Sequence, residues 1–547
     1  MAEHVRNKAS MELQKLRLGL LLDSFHIPAW AYESIRRTMD EGHGEFVLVV
    51  VSADRPIHKA KRSSVYSLFH RIDEKLFGRE PNPFARKDAR TLLKNIPFVE
   101  AQTESGNSLR SSDVDAIRKF DLDVLVKFGF DGLQLDAANY GTWEYILGDD
   151  RIERDGPTGF WESTEHWPET TCALIASGGK YSPRRVLFRS HFVTYPLSPA
   201  RHCSYFVWAA VPFLARQVKA LHEMGEQKFV SESKWFDAGS PPNVKRNDAP
   251  SNLAAMRAIG KLGQRLVGES IRRAFSDDQW FLLFSLKNDV TDGLANFVPM
   301  HPPKGTFWAD SHILRVGSNY YLFIEEFSES KNKGYISVIE MDARGNWKPP
   351  VTVLEKDYHL SYPFVFDWDG KIYMIPESRA NRTIDLYECV EFPHRWNFKQ
   401  SLMKNISAVD TTLVRHAGKW WMFTALAEIE SAAPNVELFL FYADDLLGEW
   451  TPHPRNPIVS DVKRARPAGS FFQRDGKLFR PSQDCSHAYG YGFDLNEVEI
   501  LSETEYRERR VTSIRPDWDK EVIGAHTYAH CGDLTVIDAL RRVSKLG

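Results

Sequence analysis

The stretch HLSYPFVFDWDGKIYMIPES, residues 359–378, decides how the second half of this chain is read. Tyr362 to Phe366 alternate large apolar side chains, Asp367-Trp368-Asp369-Gly370 supply a turn whose glycine accepts a positive φ, and Lys371 to Ile375 alternate again before the carboxylate of Glu377. Apolar alternation on both sides of a glycine turn specifies a β-hairpin. The same template recurs in ADSHILRVGSNYYLFIEE from Ala309, VDTTLVRHAGKWWMFTA from Val409, RPAGSFFQRDGKLFRPS from Arg466 and AHTYAHCGDLTVID from Ala525.

Copies spaced by about 50 to 60 residues, with several strands in each, predict a five-bladed β-propeller over residues 279–547. The strand QWFLLFSL, residues 279–286, precedes the first copy and is expected to complete the last blade, closing the ring and removing its edges. Innermost strands line the channel of a propeller, so equivalent positions near their starts converge. Aligning the copies sets Asp310, Tyr362, Asp410, Arg466 and His526 at one such position. A second position holds Glu325, Glu377, Ala425 and Ser482, with Gln483 and Asp484 just beyond. Carboxylates with Arg, His and aromatic surface suit a polyhydroxylated ligand. The plainer alternative is that inner-strand Asp residues only hydrogen-bond neighbouring blades.

The first half reads differently. RLGLLL (17–22), a helical pattern from Pro28 to Met39, FVLVVVS (46–52), a second helical pattern from Val114 to Phe120 and LDVLVKF (122–128) alternate buried strand with helix. That order predicts a doubly wound α/β sheet over residues 1–225. Residues 226–251, rich in Pro, Gly, Ser and Asn, read as a linker, and residues 252–278 as a connecting amphipathic helix packed on a domain. Asp149, Asp150 and Arg151 fall at the carboxyl end of the sheet, the usual ligand crevice of such folds.

Composition narrows the function. The 547 residues carry 70 Lys plus Arg against 73 Asp plus Glu, a net charge of −3, so no basic field points to nucleic acid. Five cysteines are scattered, with neither a C-x-x-C pair nor zinc-ligand spacing, and reduced thiols in a cytoplasmic protein are expected. No run is long enough to span a membrane. The turn after the first strand, DSFHIPAW, lacks the glycines of a dinucleotide loop, and no P-loop, H-E-x-x-H helix or G-x-S-x-G elbow occurs. No metal is assigned, and the cofactor is left unknown.

Two resemblances add to these readings. FGFDGLQLDAANYGTWEYILGDDRIERDGPTGFWE (128–162) resembles the N-terminal domain of formyltransferases, which implies a formyltransferase-like fold over roughly residues 17–225. That family uses an Asn, a His and an Asp on its formyl donor. Here TWEYILGDD stands where the Asn and His belong, and CALIASGG (172–179) carries no Asp. Folate-dependent formyl transfer is therefore not expected. HLSYPFVFDWDGKIYMIPES, IDLYECVEFPHRWNF, LGEWTPHPRNPI and GKLFRPSQDC resemble the N-terminal domain of glucosamine inositolphosphorylceramide transferases, itself similar to five-bladed furanosidase-type glycosidases.

That resemblance implies a carbohydrate-directed transferase of glycan or glycolipid biosynthesis. Its substrate is a sugar or glycolipid, with a nucleotide sugar as a possible donor. The catalytic candidates are Asp310, Asp410 and Glu377 in the propeller, and Asp149 at the sheet crevice of the first half. Tyr362, Arg466, His526, Glu325, Gln483, Asp484, Asp150 and Arg151 become the binding candidates. The fourth-blade position where a glycosidase acid belongs reads Arg466-Pro467, so any acid moves to Glu325, Glu377 or Asp484. A furanosidase-like hydrolase and a non-catalytic glycan-binding scaffold remain the alternatives.

Overall fold

The computed structural model describes residues 14–545 apart from 54–62, 105–107, 131–132, 134, 149–156, 180, 233, 236–249 and 288. The chain divides into two compact units at Lys261/Leu262, the second also taking in Trp167–Glu169 and His191–Thr194.

In the first unit, Leu16–Leu22 is the middle of a parallel set. It pairs with Gly44–Ser52 on one side and Val124–Lys127 on the other, and Phe98–Ala101 and Thr142–Leu147 extend the set outward. Leu20, Leu21 and Leu22 are consecutive and all fully buried, so both faces of the sheet are covered. The sheet is not parallel throughout. Glu169–Gly178 runs antiparallel to Thr142–Leu147, and Tyr181–Val193 lies beside it after Gly178 and Gly179, both at positive φ. Two glycines in the left-handed region reverse the chain at once, leaving no room for a crossover helix.

Two helices, Pro199–Ala210 and Phe213–Met224, follow the sheet and are separated at Val211-Pro212. The expected linker opens with a helix, Glu226–Glu232, whose Phe229 is buried and stacks on Trp143. The helix Asn252–Phe275 was expected to bury its large apolar side chains. It buries Ala255, Ala258 and Leu262 instead and leaves Leu253, Met256, Val267, Ile271 and Phe275 exposed.

The second unit contains five antiparallel sheets. Blade 1 runs from Thr306 to Leu354, blade 2 from Ser361 to Lys404, blade 3 from Ala408 to Pro452 and blade 4 from Phe472 to Ile514. Blade 5 joins Ser276–Ser285 to the C-terminal strand Leu534–Ser544, paired without a break from Ser276↔Ser544 to Ser285↔Thr535. The ring is thus closed by pairing its first strand with its last.

Apolar packing follows the same circle. One buried cluster lies between blades 1 and 2 (Phe323, Val365, Trp396), another between 2 and 3 (Phe364, Trp420, Phe441) and a third between 3 and 4 (Trp421, Leu438, Ala465, with Tyr506). The circle finishes with clusters between blades 4 and 5 (Phe493, Leu495, Ile537) and between 5 and 1 (Leu282, Trp308, Leu322). Strands sandwiched between neighbours are buried on both faces, which explains unbroken runs such as Trp280–Phe284 where a solvated sheet would alternate. This is a five-bladed β-propeller.

Candidate functional site

The inner strands of blades 1, 2 and 3 share a local distortion. Their pairing slips between Ala309 and His312, between Ser361 and Phe364, and between Val409 and Thr412. The residues in the slips, Asp310, Tyr362 and Asp410, have φ of 53°, 41° and 52°. Non-glycine residues in this region cost about 1–3 kcal/mol each and persist where surrounding contacts fix them. The bulge turns each side chain out of the strand and into the cluster described below.

Strand pairing corrects the sequence alignment at two places. Counting back from Val316, Trp368 and His416, which close the blade turns, puts Asp310, Tyr362 and Asp410 at one position, as expected. The same count from Arg474 and Cys531 lands on Ala468 and Ala525, so Arg466 and His526 come from neighbouring positions. A long guanidinium and an imidazole reach the same space from different starting points, which one-residue alignment cannot register. The second position stands: Ala309↔Glu325, Ser361↔Glu377, Val409↔Ala425 and Pro467↔Ser482 are paired.

Asp310 stands in a fully engaged group. Its Oδ2 accepts the Tyr362 N–H at 3.2 Å, its Oδ1 accepts the Thr527 hydroxyl at 2.9 Å, and its own N–H donates to Asp538 Oδ2 at 3.0 Å. His526 lies between the two acids, Nε2 3.3 Å from Asp310 Oδ1 and Nδ1 2.8 Å from Asp538 Oδ2. Burial alone would lower the imidazole pKa, but the carboxylates of Asp538 and Asp310 outweigh it and hold His526 above its ordinary value. Asp538 also accepts the backbone N–H groups of His526 and Thr527, both at 2.9 Å. Asp310, His526 and Asp538 are the one carboxylate–imidazole group with metal-ligand proximity among the described residues, their ligand atoms within 4.8 Å of one another. Asp310 and Asp538 spend their oxygens on hydrogen bonds within the protein, whereas His526 Nδ1, although 2.8 Å from Asp538 Oδ2, makes none among the described residues.

Asp410 faces a different set. Arg466 clamps it through both oxygens, Nε on Oδ2 and Nη2 on Oδ1 at 3.1 Å, and Gln483 Nε2 donates to Oδ2 at 2.9 Å. Arg466 Nη2 also stands 3.6 Å from Glu377 Oε2. That oxygen has no hydrogen-bond partner among the described residues. Burial first, and then the charge of Asp410 within hydrogen-bonding reach, drive the Glu377 carboxyl well above the ordinary range, with Arg466 opposing. Glu325 is raised for the same reasons, burial and then the charge of Asp310. Each inner-strand Asp therefore sits beside a Glu whose pKa its charge pushes up, and burial raises Asp310 as well. Two carboxylates in one dry site cannot both ionise without a large cost.

The remaining candidates serve as walls or supports. Tyr362 is fully buried, its hydroxyl 2.8 Å from Thr412 Oγ1 and 2.8 Å from the donating N–H of Gly469, so it ties blades 2, 3 and 4 together. Asp484, expected at the binding position, instead accepts from Ser486 N–H at 2.9 Å and pairs with Arg515 at 2.7 Å. A nearby guanidinium provides what the channel would otherwise have to supply. Asp149, Asp150 and Arg151 lie outside the described residues.

Two features escaped the sequence reading. Tyr489, in the loop after the inner strands of blade 4, is 46% exposed, with Arg466 Cζ 4.8 Å from its ring centroid and the His526 ring at 5.3 Å, edge to face. Gly490 beside it has φ of 68°, and a Cβ there would meet Trp280 at 2.6 Å, so the loop is held close against blade 5. The AYGYG run (488–492) is the trace of this in the sequence, but it falls outside the repeat template. The second feature is His359, whose Nδ1 accepts the Gly334 N–H at 3.0 Å. Its Nε2 is thereby left to donate toward Glu325 Oε1 at 3.3 Å.

Residues 297–527 match the family described as glucosamine inositolphosphorylceramide transferase 1, N-terminal. The glucosamine inositolphosphorylceramide transferase 1 of Arabidopsis thaliana is 36% identical over 208 residues, which is 38% of this chain and 27% of that protein. Its counterpart in Oryza sativa subsp. japonica is 35% identical over 205 residues, 37% of this chain and 27% of the relative. The match therefore spans about a quarter of the length of these curated relatives. Among solved structures, an α-L-arabinofuranosidase of Podospora anserina has a TM-score of 0.33 at 10% identity, over 44% of this chain and 93% of its own. A family 117 glycoside hydrolase of Zobellia galactanivorans has a TM-score of 0.32 at 12% identity, over 49% of this chain and 90% of its own. The propeller assignment rests on the strand pairing and blade packing above. No helix among the described residues is long and apolar enough to cross a membrane.

Proposed function

We propose that the propeller channel binds a sugar and that the chain acts in glycosyl transfer to a lipid acceptor, the reaction class for which its matched relatives are named. The observation that carries this reading is Glu377, whose Oε2 has no hydrogen-bond partner among the described residues beside the Arg466–Asp410 pair, with burial and the Asp410 charge pushing its pKa up. A carboxyl held neutral at ordinary pH can give its proton to a departing or bridging sugar oxygen. Asp410 keeps that proton on Glu377 and, through Arg466, fixes where it points. Tyr489 offers the exposed aromatic face against which a sugar ring packs, while Glu325 and Glu377 meet its hydroxyls.

In this reading Asp310 is a positioning residue and Glu377 the catalytic one. The acceptor would be an inositolphosphorylceramide and the donor a glucosamine-type nucleotide sugar. For the first unit the proposal is limited to a formyltransferase-like fold without formyl transfer, because Thr142–Leu147 and the glycine after it supply no imidazole.

The test incubates the full chain with labelled UDP-N-acetylglucosamine and inositolphosphorylceramide in mixed micelles. Transfer of label that disappears in Glu377→Gln, with sugar binding retained, supports the reading. Release of free sugar from p-nitrophenyl arabinofuranoside, without transfer, would replace it with a hydrolase. One observation favours a second reading, glycan binding without catalysis: Asp310 and Asp410 have both oxygens engaged, so neither stands ready as a base. Sugar binding with neither transfer nor hydrolysis would select it.

A further inference from the structure

The helix Asn252–Phe275 displays side chains that a water-facing helix avoids. Leu253, Met256, Val267, Ile271 and Phe275 are 54%, 53%, 60%, 55% and 53% exposed among the described residues. At 3.6 residues per turn these five fall on one side of the helix, on a stripe that also takes in Gly260. Arg257, Lys261, Arg265 and Arg272 fall on the adjacent stripe, and Glu269 is the helix's one acid. Arg272 is paired with Glu269 and Asp278, whereas Arg257 and Lys261 form no ion pair among the described residues.

A cationic row along one edge of an exposed apolar face is unusual in a chain whose net charge is −3. The neighbouring helix repeats the pattern. Ser64–Phe77 packs on the first turns of the long helix through Tyr66 against Ala255 and Ala258. It carries its own exposed row, Leu68, Ile72 and Leu76, with Arg71 and Lys75 alongside.

We infer that the helix Asn252–Phe275 lies in the interface of an anionic lipid bilayer. Its large apolar side chains enter the boundary between headgroups and acyl chains, and Arg257 and Lys261 meet lipid phosphates. Charge complementarity decides for this partner. A purely apolar protein partner would bury Leu253 and Met256 but leave Arg257 and Lys261 without counter-charge at the edge of a dry contact. An anionic bilayer supplies both the apolar depth and the negative surface. The inference is independent of the channel's chemistry, and Asp410→Asn or Glu377→Gln is expected to bind vesicles like the parent chain.

The experiment is flotation of the full chain with phosphatidylcholine vesicles, with and without phosphatidylserine. The parent chain should float with phosphatidylserine vesicles and fall back as salt is raised. Ile271→Gln combined with Phe275→Gln should abolish flotation, and Arg257→Gln or Lys261→Gln should each weaken it about fivefold. These sites are exposed, so the thermal transition should not move. Should the double variant fail to fold, Val267→Gln alone gives the same reading.

Equal binding to both vesicle types, or no binding at low salt, overturns the inference. So does a chain that elutes as a dimer, becomes a monomer in the apolar variants and never floats. In that case the face belongs to a second copy.

Discussion

Asp310 and Asp410 occupy the same position in blades 1 and 3 and share a bulge and a left-handed φ, and each has a glutamic acid close by, Glu325 from the paired strand of blade 1 for Asp310 and Glu377 from blade 2 for Asp410. Their surroundings differ. Asp310 is bound to blade 5 through His526, Thr527 and the Asp538 that accepts its own N–H, and to blade 2 through the Tyr362 backbone. It acts as a staple at the junction where the ring closes. Asp410 is clamped by Arg466 and Gln483, and the same guanidinium lies against the Tyr489 ring and 3.6 Å from Glu377 Oε2, an oxygen without a hydrogen-bond partner among the described residues. One repeated position is tied into the ring closure in one blade and into the Arg466–Gln483–Glu377 cluster in the other. What separates them is where the neighbouring cation comes from and whether an oxygen is left over.

The comparison can be broken by removing each cation or anion in turn. The largest effect is expected at the staple. Asp538→Ala strips the acceptor from three backbone N–H groups and leaves His526 with one carboxylate. It should cost about 3–5 kcal/mol of unfolding free energy, read by denaturant titration. Arg466→Met leaves Asp410 buried without its counter-charge and should cost a similar or slightly smaller amount. A loss below about 1 kcal/mol for either would show that the channel is wetter than its burial indicates.

Glu377→Gln is expected to behave in the opposite way. The amide preserves shape and needs no proton, so stability should change by less than about 1 kcal/mol while sugar turnover is lost. Tyr489→Ala should leave stability alone and weaken sugar binding by about tenfold, as loss of one aromatic face implies.

The dependence on pH has a definite sign. The folded pKa of His526 lies above its unfolded value of about 6.5, so its contribution is complete below that pH and lost as pH rises through the raised folded value. Glu325 and Glu377 are also raised, and their contribution is complete below an unfolded value of about 4.3 and lost as pH climbs through their folded values. Thermal stability of the chain should therefore fall as pH rises above about 4.3, with His526 adding to the fall above about 6.5. The fall should be shallower in His526→Gln, though from a lower starting point.

How much of this is legible in the sequence varies with range. The blade hairpins were readable because each carries its own turn, Asp369-Gly370 or Ala417-Gly418, between apolar runs, and that information is local. The closing strand was readable because an unpaired apolar run ahead of the first copy needs a partner. Tyr362, Asp310 and Asp410 were found because bulge positions repeat with the blade.

Arg466 and His526 were found for the wrong reason. Their side chains converge on the channel although their backbone positions do not correspond, and reach is not a property of register. Tyr489 was missed because its role comes from a loop, where no repeat exists to flag it. The long helix was misread for a different reason. Its pattern specifies an amphipathic surface but not what covers it, and packing buries the stripe of Ala255, Ala258 and Leu262 while the stripe of Leu253, Met256, Val267 and Ile271 stays exposed.

The central claim is that the open site lies at Glu377 and Asp410 and the staple at Asp310. It is tested most directly by titrating N-acetylglucosamine into the parent chain, Glu377→Ala and Thr527→Val, with chemical shifts of the Trp and Tyr side chains as the readout. The account predicts that Thr527→Val, which removes a hydrogen bond to Asp310 on the staple side, loses stability but keeps sugar affinity. It predicts that Glu377→Ala keeps its fold and loses affinity at least tenfold. Equal loss of affinity in both variants, or loss in Thr527→Val alone, would contradict it.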